Sequence, residues 1–248
     1  MHKDGKWQTF DINSGTYGDY AGKMRPALQA VTRDRSLYIV YADGTEKLIA
    51  ESENADITYG EFTSRNEFGI TDGVFWSPDS TRIAFYRKDE SKVTSFPLLD
   101  ITTRTGSLKE IKYPMAGMDS ENVQLGIYDL ESGETVYADV DDFGYDRYLT
   151  NITWSPDASK IYIQVLDRSQ KHLKLNAYCS ETGDCTGTLL TEDNDRYVEP
   201  VDPLYFIKGS ADLFLYRTAN RDGYRNLYLC DDQGNIRRLT AVDADVKY

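Results

Sequence analysis

Trp76-Ser-Pro-Asp79, followed by Ser80-Thr-Arg-Ile-Ala-Phe85, and Trp154-Ser-Pro-Asp157, followed by Ala158-Ser-Lys-Ile-Tyr-Ile163, are one phrase written twice. Each copy sets a large aromatic ahead of a Pro-Asp turn and an apolar run after it. Pro presets φ for the turn and Asp bonds backbone two residues on, so together they start a strand at a defined place. The Trp is read as filling the space between neighbouring sheets. A second phrase marks another point in the same unit. Tyr128-Asp-Leu-Glu-Ser-Gly133 returns as Tyr178-Cys-Ser-Glu-Thr-Gly183 and again near Tyr228-Leu-Cys-Asp-Asp-Gln-Gly234, with the three tyrosines fifty positions apart. It reads as an outer-strand hairpin whose glycine takes a positive φ. Short strands repeating every ~40 to 50 residues are the signature of propeller blades.

The rest of the chain agrees. Ser36-Leu-Tyr-Ile-Val-Tyr41, then Ala-Asp-Gly, then Thr45-Glu-Lys-Leu-Ile49 reads as strand, tight turn and returning strand. Arg82-Ile-Ala-Phe-Tyr-Arg87 and Lys160-Ile-Tyr-Ile-Gln-Val165 read as strands too. No window sustains a 3.6-residue apolar period, so helices are expected to be few and short. The expectation is an all-β fold: a partial β-propeller of roughly four to five blades over residues 31–248. Residues 1–30 are expected to form a partial blade or an N-terminal arm, and Asp89 to Gly117 an insertion or irregular strand. Open sheet edges invite association. The chain is therefore expected to be a piece of a larger ring or to self-associate.

Composition bounds the function classes. A length of 248 residues suits one large all-β domain or two small ones, and 40% apolar with 28% charged residues is globular rather than disordered. Nineteen tyrosines favour pleated, half-buried surfaces. A net charge of -13 repels phosphate, so nucleic acid is not an expected partner. No apolar run approaches the ~20 residues that span a bilayer, so no membrane-spanning helix is expected. Met1-His-Lys-Asp-Gly5 leads into polar sequence without an apolar signal core, so an exported parent would carry its signal upstream.

Little catalytic chemistry is visible. Cys179 and Cys185 flank Ser-Glu-Thr-Gly-Asp and could bridge across a hairpin in an oxidising compartment, or stay as two thiols. Cys230 lies in an apolar strand and reads as a buried small hydrophobe. Without a CxxC pair or a histidine cluster, no zinc site is expected. Asp139-Val-Asp141-Asp142 and Asp193-Asn-Asp195 lack the glycine and distal glutamate of a calcium loop. No metal or cofactor is expected. A Gly-x-Ser-x-Gly elbow is absent, and His2 and His172 are the only histidines, so no Ser-His-Asp triad is expected within this chain.

Arg65-Asn-Glu-Phe-Gly-Ile70, followed by Gly73-Val-Phe-Trp-Ser-Pro-Asp79, opens an ordered set of motifs. The set continues through Ile83-Ala-Phe-Tyr-Arg87, Asp89-Glu-Ser-Lys-Val93, Tyr113-Pro-Met-Ala-Gly117 and Leu149-Thr-Asn-Ile-Thr-Trp-Ser-Pro-Asp157. It ends with Tyr197-Val-Glu-Pro200 and Arg221-Asp-Gly-Tyr224 ahead of Leu227-Tyr228. Over these residues the chain resembles the N-terminal region of the dipeptidyl peptidase IV family, the propeller part of prolyl oligopeptidase-type serine peptidases. The Glu-Phe-Gly segment ahead of the first Trp-Ser-Pro-Asp is its most specific element.

The resemblance implies an eight-bladed propeller joined to an α/β-hydrolase domain that carries the Ser, Asp and His. That domain would lie downstream of Tyr248. The propeller gates access and grips the substrate's free amino group, and cleavage follows a proline at the second position. The grip in such enzymes is a pair of adjacent glutamates. The matching stretch here is Asn66-Glu67, with one acid. Glu67 is therefore the candidate for the substrate ammonium, Asn66 its neutral hydrogen-bond partner, and Arg65 a candidate for the substrate carbonyl. A single acid leaves both dipeptidyl and tripeptidyl release open. The implied partners are peptides beginning Xaa-Pro, the hydrolase domain and a second copy in a homodimer, and the implied location is periplasmic or secreted. Three alternatives stand beside this reading. Glu67 could be a turn residue. The chain could be a stand-alone propeller that binds a protein or peptide. It could also be a carbohydrate-active propeller with two facing carboxylates.

Overall fold

The computed structural model of the chain describes residues 28–200 and 202–247, together with the backbone of a short ribbon, β1 (His2–Lys3) paired with β2 (Lys6–Trp7). The N-terminal arm expected over residues 1–30 thus lies largely outside the described residues. The first sheet is β3 (Gln29–Arg33), β4 (Ser36–Val40) and β5 (Glu46–Ala50). The second contains β6 (Ile57–Tyr59), β7 (Val74–Trp76) and β8 (Arg82–Asp89). A separate ribbon, β9 (Ser95–Asp100) with β10 (Ser107–Lys112), interrupts it before it resumes with β11 (Asn122–Asp129) and β12 (Thr135–Tyr137). The third sheet is β13 (Arg147–Trp154), β14 (Lys160–Asp167), β15 (His172–Cys179) and β16 (Cys185–Asp193). The fourth is β17 (Tyr205–Phe206), β18 (Leu213–Thr218), β19 (Asn226–Asp231) and β20 (Ile236–Arg238). These four antiparallel meanders are the blades, and the ribbon is the insertion expected between Asp89 and Gly117. Among the described residues the only helical segment is a 3-10 stretch, Ser64–Gly69, and no helix is long and apolar enough to cross a membrane.

The central strands of the second and third sheets are apolar on both faces because each of these two sheets is sandwiched between two others. On β14, Ile161, Ile163 and Val165 enter a core shared with Tyr86, Leu125 and Ile127 of the second sheet. Tyr162 and Leu166, one residue out of phase, enter a core shared with Phe214, Tyr216 and Tyr228 of the fourth. A third core joins Leu37 and Ile39 of the first sheet to Ile83 and Phe85 of the second. Full burial of each such side chain contributes ~1.5–3 kcal/mol, so these seams hold the blades together. None of the three cores joins the fourth sheet to the first.

The repeated phrase does what its residue types suggest. Trp154 is 8% exposed in the core between the second and third sheets, and Trp76 packs on the core between the first and second. In the turns, the Ser77 hydroxyl donates to Asp79 at 2.7 Å and the Ser155 hydroxyl donates to Asp157 at 2.6 Å. Each serine oxygen also accepts a backbone N–H from the start of the next strand, Arg82 in one copy and Lys160 in the other, both at 2.9 Å. A third copy went unseen in the sequence. Phe206 stands where the tryptophans stand, and Ile207 closes the turn in place of the serine; the turn is one residue longer, and its Ser–Asp bond, from the Ser210 hydroxyl to Asp212 at 2.6 Å, lies further along it.

The hairpin phrase holds twice and slips once. The hairpins close between Asp129 and Glu134, between Cys179 and Asp184, and between Asp231 and Asn235. Gly133, Gly183 and Gly234 all have positive φ, at 75, 80 and 81°. The counterpart of Tyr128 and Tyr178 is therefore Cys230 rather than Tyr228, because the third hairpin has a shorter loop.

The bridge considered for Cys179 and Cys185 is not formed, and both cysteines are free. Cys185 stands opposite Tyr178 in the register, and Cys179 closes the turn against Asp184. Side chains alternate along a strand, so the two sulfurs project from opposite faces of the hairpin.

Candidate functional site

One strand of the second blade is split. β6 pairs with β8 from Asp89 to Arg87, and β7 pairs with the same strand from Phe85 to Ile83. Between them the chain leaves the sheet. Tyr86 closes the neck: the Gly60 N–H donates to its carbonyl at 2.8 Å, and its own N–H donates to the Gly73 carbonyl at 2.9 Å. Gly73 is required here, because a Cβ would lie 2.2 Å from the Glu61 carbonyl carbon. The Tyr86 hydroxyl donates to the Leu149 carbonyl at 2.7 Å, tying the neck to the third blade. Burial pushes that phenol far above its ordinary pKa.

The extruded loop is wound tightly. Ser64, Arg65, Asn66 and Phe68 have φ of 53, 51, 64 and 56°, whereas Glu67 between them is extended at φ -64° and ψ 159°. Left-handed conformation costs a side-chain-bearing residue ~1–2 kcal/mol, and such clusters concentrate at functional positions. The surroundings hold the turn in place. The Ser64 N–H donates to the buried Glu121 carboxylate at 2.8 Å, and the Ile70 N–H donates to the Glu67 carbonyl at 3.0 Å. Phe68 packs on the core of the third and fourth blades, its ring 4.7 Å from that of Tyr148. The Tyr148 hydroxyl in turn accepts a hydrogen bond from Arg168 at 2.6 Å.

With Phe68 pinned, Glu67 faces a cavity of about 210 Å³. Three separate elements line it: Glu67 to Gly69 of the loop, Gln170 of the β14–β15 turn, and Tyr197 to Glu199 of the connection into the fourth blade. The Val198 N–H donates to the Gln170 carbonyl at 2.7 Å and fastens the last two together. Glu199 accepts from Arg225 at 2.5 Å. Glu67 is exposed, and among the described residues its carboxylate has neither an ion-pair nor a hydrogen-bond partner.

The other two candidates in the loop sit differently. Asn66 is exposed and does not line the cavity. Arg65 donates to the Lys112 carbonyl at 2.9 Å and lies over the Tyr113 ring at 4.3 Å, so it braces the loop against the end of the β9–β10 ribbon. Glu121, Gln170 and Glu199 were not recognised as part of the site from the sequence. Tyr197-Val-Glu-Pro200 belongs to the ordered motif set, but nothing in its spacing places it beside a loop some 130 positions earlier.

Comparison with known proteins fixes the context. The family described as the dipeptidyl peptidase IV (DPP IV) N-terminal region matches residues 26–248. The chain belongs to that family. Dipeptidyl-aminopeptidase B of Aspergillus niger is 27% identical, over 96% of this chain and 30% of its own length. Among solved structures, a dipeptidyl aminopeptidase IV from Bacteroides ovatus is 37% identical with a TM-score of 0.79, over 97% of this chain and 34% of that one. Porphyromonas gingivalis dipeptidyl peptidase 4 is 25% identical with a TM-score of 0.79, over 97% of this chain and 36% of that one. The chain thus spans about a third of the solved dipeptidyl peptidase chains it matches. As a DPP IV N-terminal region, the chain has as propeller blades the four sheets of three or more strands among its described residues.

Proposed function

We propose that this chain is the substrate-gripping and gating part of a prolyl-directed serine exopeptidase, with Glu67 as the carboxylate that receives the substrate's free ammonium. The observation that carries the reading is that Glu67 is uncommitted: it sits on a strained, braced turn at the edge of a cavity, with no cation beside it among the described residues. A protein seldom holds such geometry without a use for it. An ammonium on that carboxylate makes a charge-assisted hydrogen bond, contributing ~1.5–3 kcal/mol. Asn66 serves as a neutral neighbour to the anchor. Arg65, held by Lys112 and Tyr113, keeps the turn in shape and reaches a substrate carbonyl only by leaving them. The nucleophile and its base belong to a hydrolase domain elsewhere in the full-length protein. The substrates are peptides with proline at or near the second position, released as dipeptides or tripeptides in the periplasm or outside the cell.

A second copy is the proposed partner of the β9–β10 ribbon. Leu99, Ile101 and Leu108 are 67, 79 and 75% exposed along it. A two-stranded ribbon with apolar side chains in water gains by being covered.

The substrate side of the proposal is testable with the protein extended to the length of its relatives. Paired prolyl peptides, one with a free amino terminus and one N-acetylated, should differ in kcat/KM by about tenfold or more, given a charge-assisted bond of this size. Equal turnover of the pair rules the ammonium grip out.

A further inference from the structure

We infer that the cavity beside Glu67 receives the side chain of the substrate's N-terminal residue and favours basic side chains over acidic ones. The inference rests on Glu67 as the ammonium anchor. An ammonium held by Glu67 places the first residue's Cα at the mouth of the cavity, and the space ahead of it is bounded by Gln170, Tyr197 and Glu199. At about 210 Å³ that space accepts a long side chain.

Its walls carry a consistent charge pattern. Two carboxylates, Glu67 and Glu199, line it, and the other lining residues are uncharged. The only cation paired to either among the described residues is Arg225, which takes one oxygen of Glu199. Side-chain exposure of Glu199 is 52%, so its second oxygen stays open to a new donor. Once the substrate ammonium has neutralised Glu67, Glu199 and Arg225 balance each other. An acidic side chain entering here meets the free Glu199 oxygen as a like charge. A lysine or arginine side chain finds an acceptor instead. Tyr197, 60% exposed, adds an aromatic ring suited to a cation at this site.

The test uses the extended protein and three chromogenic peptides that differ only in the first residue, Lys, Ala or Glu, each followed by proline. The expected order in kcat/KM is Lys, then Ala, then Glu, with Lys over Glu by about tenfold, since a partly exposed charge pair is screened. Glu199→Gln keeps an acceptor for Arg225 and removes the charge, so the Lys-to-Glu ratio should fall to within about threefold. Tyr197→Ala, at an exposed position with little effect on folding, should lower the value for Lys more than that for Ala. A flat order in the wild type overturns the inference, as does a Lys-to-Glu ratio unchanged in Glu199→Gln. If Glu67→Gln still lowers kcat/KM in either case, the anchor stands and only the subsite fails. If Glu67→Gln changes nothing, or no peptide is cleaved, the anchor fails and takes the subsite with it.

Discussion

The indole N–H of Trp154 donates to the carbonyl of Phe75 at 3.0 Å. Phe75 immediately precedes Trp76, so the tryptophan of one repeat is bonded beside the tryptophan of the repeat before it. The blades are thus locked to each other at equivalent points of the phrase. Trp154→Phe should cost ~1–2 kcal/mol through the orphaned carbonyl and the smaller ring, and Trp154→Ala ~3–5 kcal/mol through the cavity left in the seam. Urea unfolding of the two variants checks this. Equal, small losses would show that the seam does not depend on the indole.

Two carboxylates should give opposite pH dependence. The hydroxyl of Ser155 donates to Asp157 and holds its carboxyl below the ordinary range. Its contribution is complete above ~3.9, the free aspartate value, and is lost as pH falls through the lower folded-state value. The deficit of Ser155→Ala should therefore shrink in acid. Glu192 is almost fully buried, and burial pushes its carboxyl up despite a hydrogen bond from Thr218 and the nearby Arg221. Its stabilisation is present below ~4.3 and is lost as pH rises through the raised value. Glu192→Gln should therefore gain on the wild type as pH rises. Unfolding free energies across pH 3 to 8 measure both, and parallel curves would contradict the assignment.

What was legible in the sequence was local and repeated. The Trp-Ser-Pro-Asp turns, the glycine at each hairpin and the insertion after Asp89 follow from residue types at fixed offsets, and the structure has them. Phe206 escaped because a phenylalanine and a longer turn hide the phrase, and Tyr228 misled because one hairpin has a shorter loop. The site was legible at one residue only. Glu67 stood out by its family motif, but the cavity beside it is assembled from three loops far apart in sequence. Glu121 bonds the loop through a backbone N–H, which leaves no residue pattern to read. The cysteine bridge was suggested by spacing alone, and spacing does not report which face of a strand a side chain takes.

Thiol chemistry should follow that placement. Cys185 is exposed, Cys179 is half-buried with its thiol pKa lowered by a hydrogen bond from Thr182, and burial pushes Cys230 up to about 12. Native-state alkylation read by mass spectrometry should label Cys185 and Cys179 and spare Cys230 until the protein unfolds. Recovery of a bridged 179–185 peptide without added oxidant would contradict the register.

The ribbon should govern association. Leu99→Asp with Leu108→Asp places charge on its two most exposed leucines without touching a blade core. Sedimentation of the extended protein should shift from dimer to monomer while its thermal midpoint stays within a few degrees. A wild type that is already monomeric at micromolar concentration would remove the ribbon as a self-association surface.

Whether Glu67 holds the substrate's free amino group is decided by Glu67→Gln in the extended protein. The variant keeps the shape of the side chain and removes its charge. Its kcat/KM on a free-amine prolyl peptide should fall by about tenfold or more, with turnover of the N-acetylated counterpart within about twofold of the wild type. Equal activity of wild type and variant on the free-amine peptide would contradict that role and leave Glu67 as a residue that only shapes the turn.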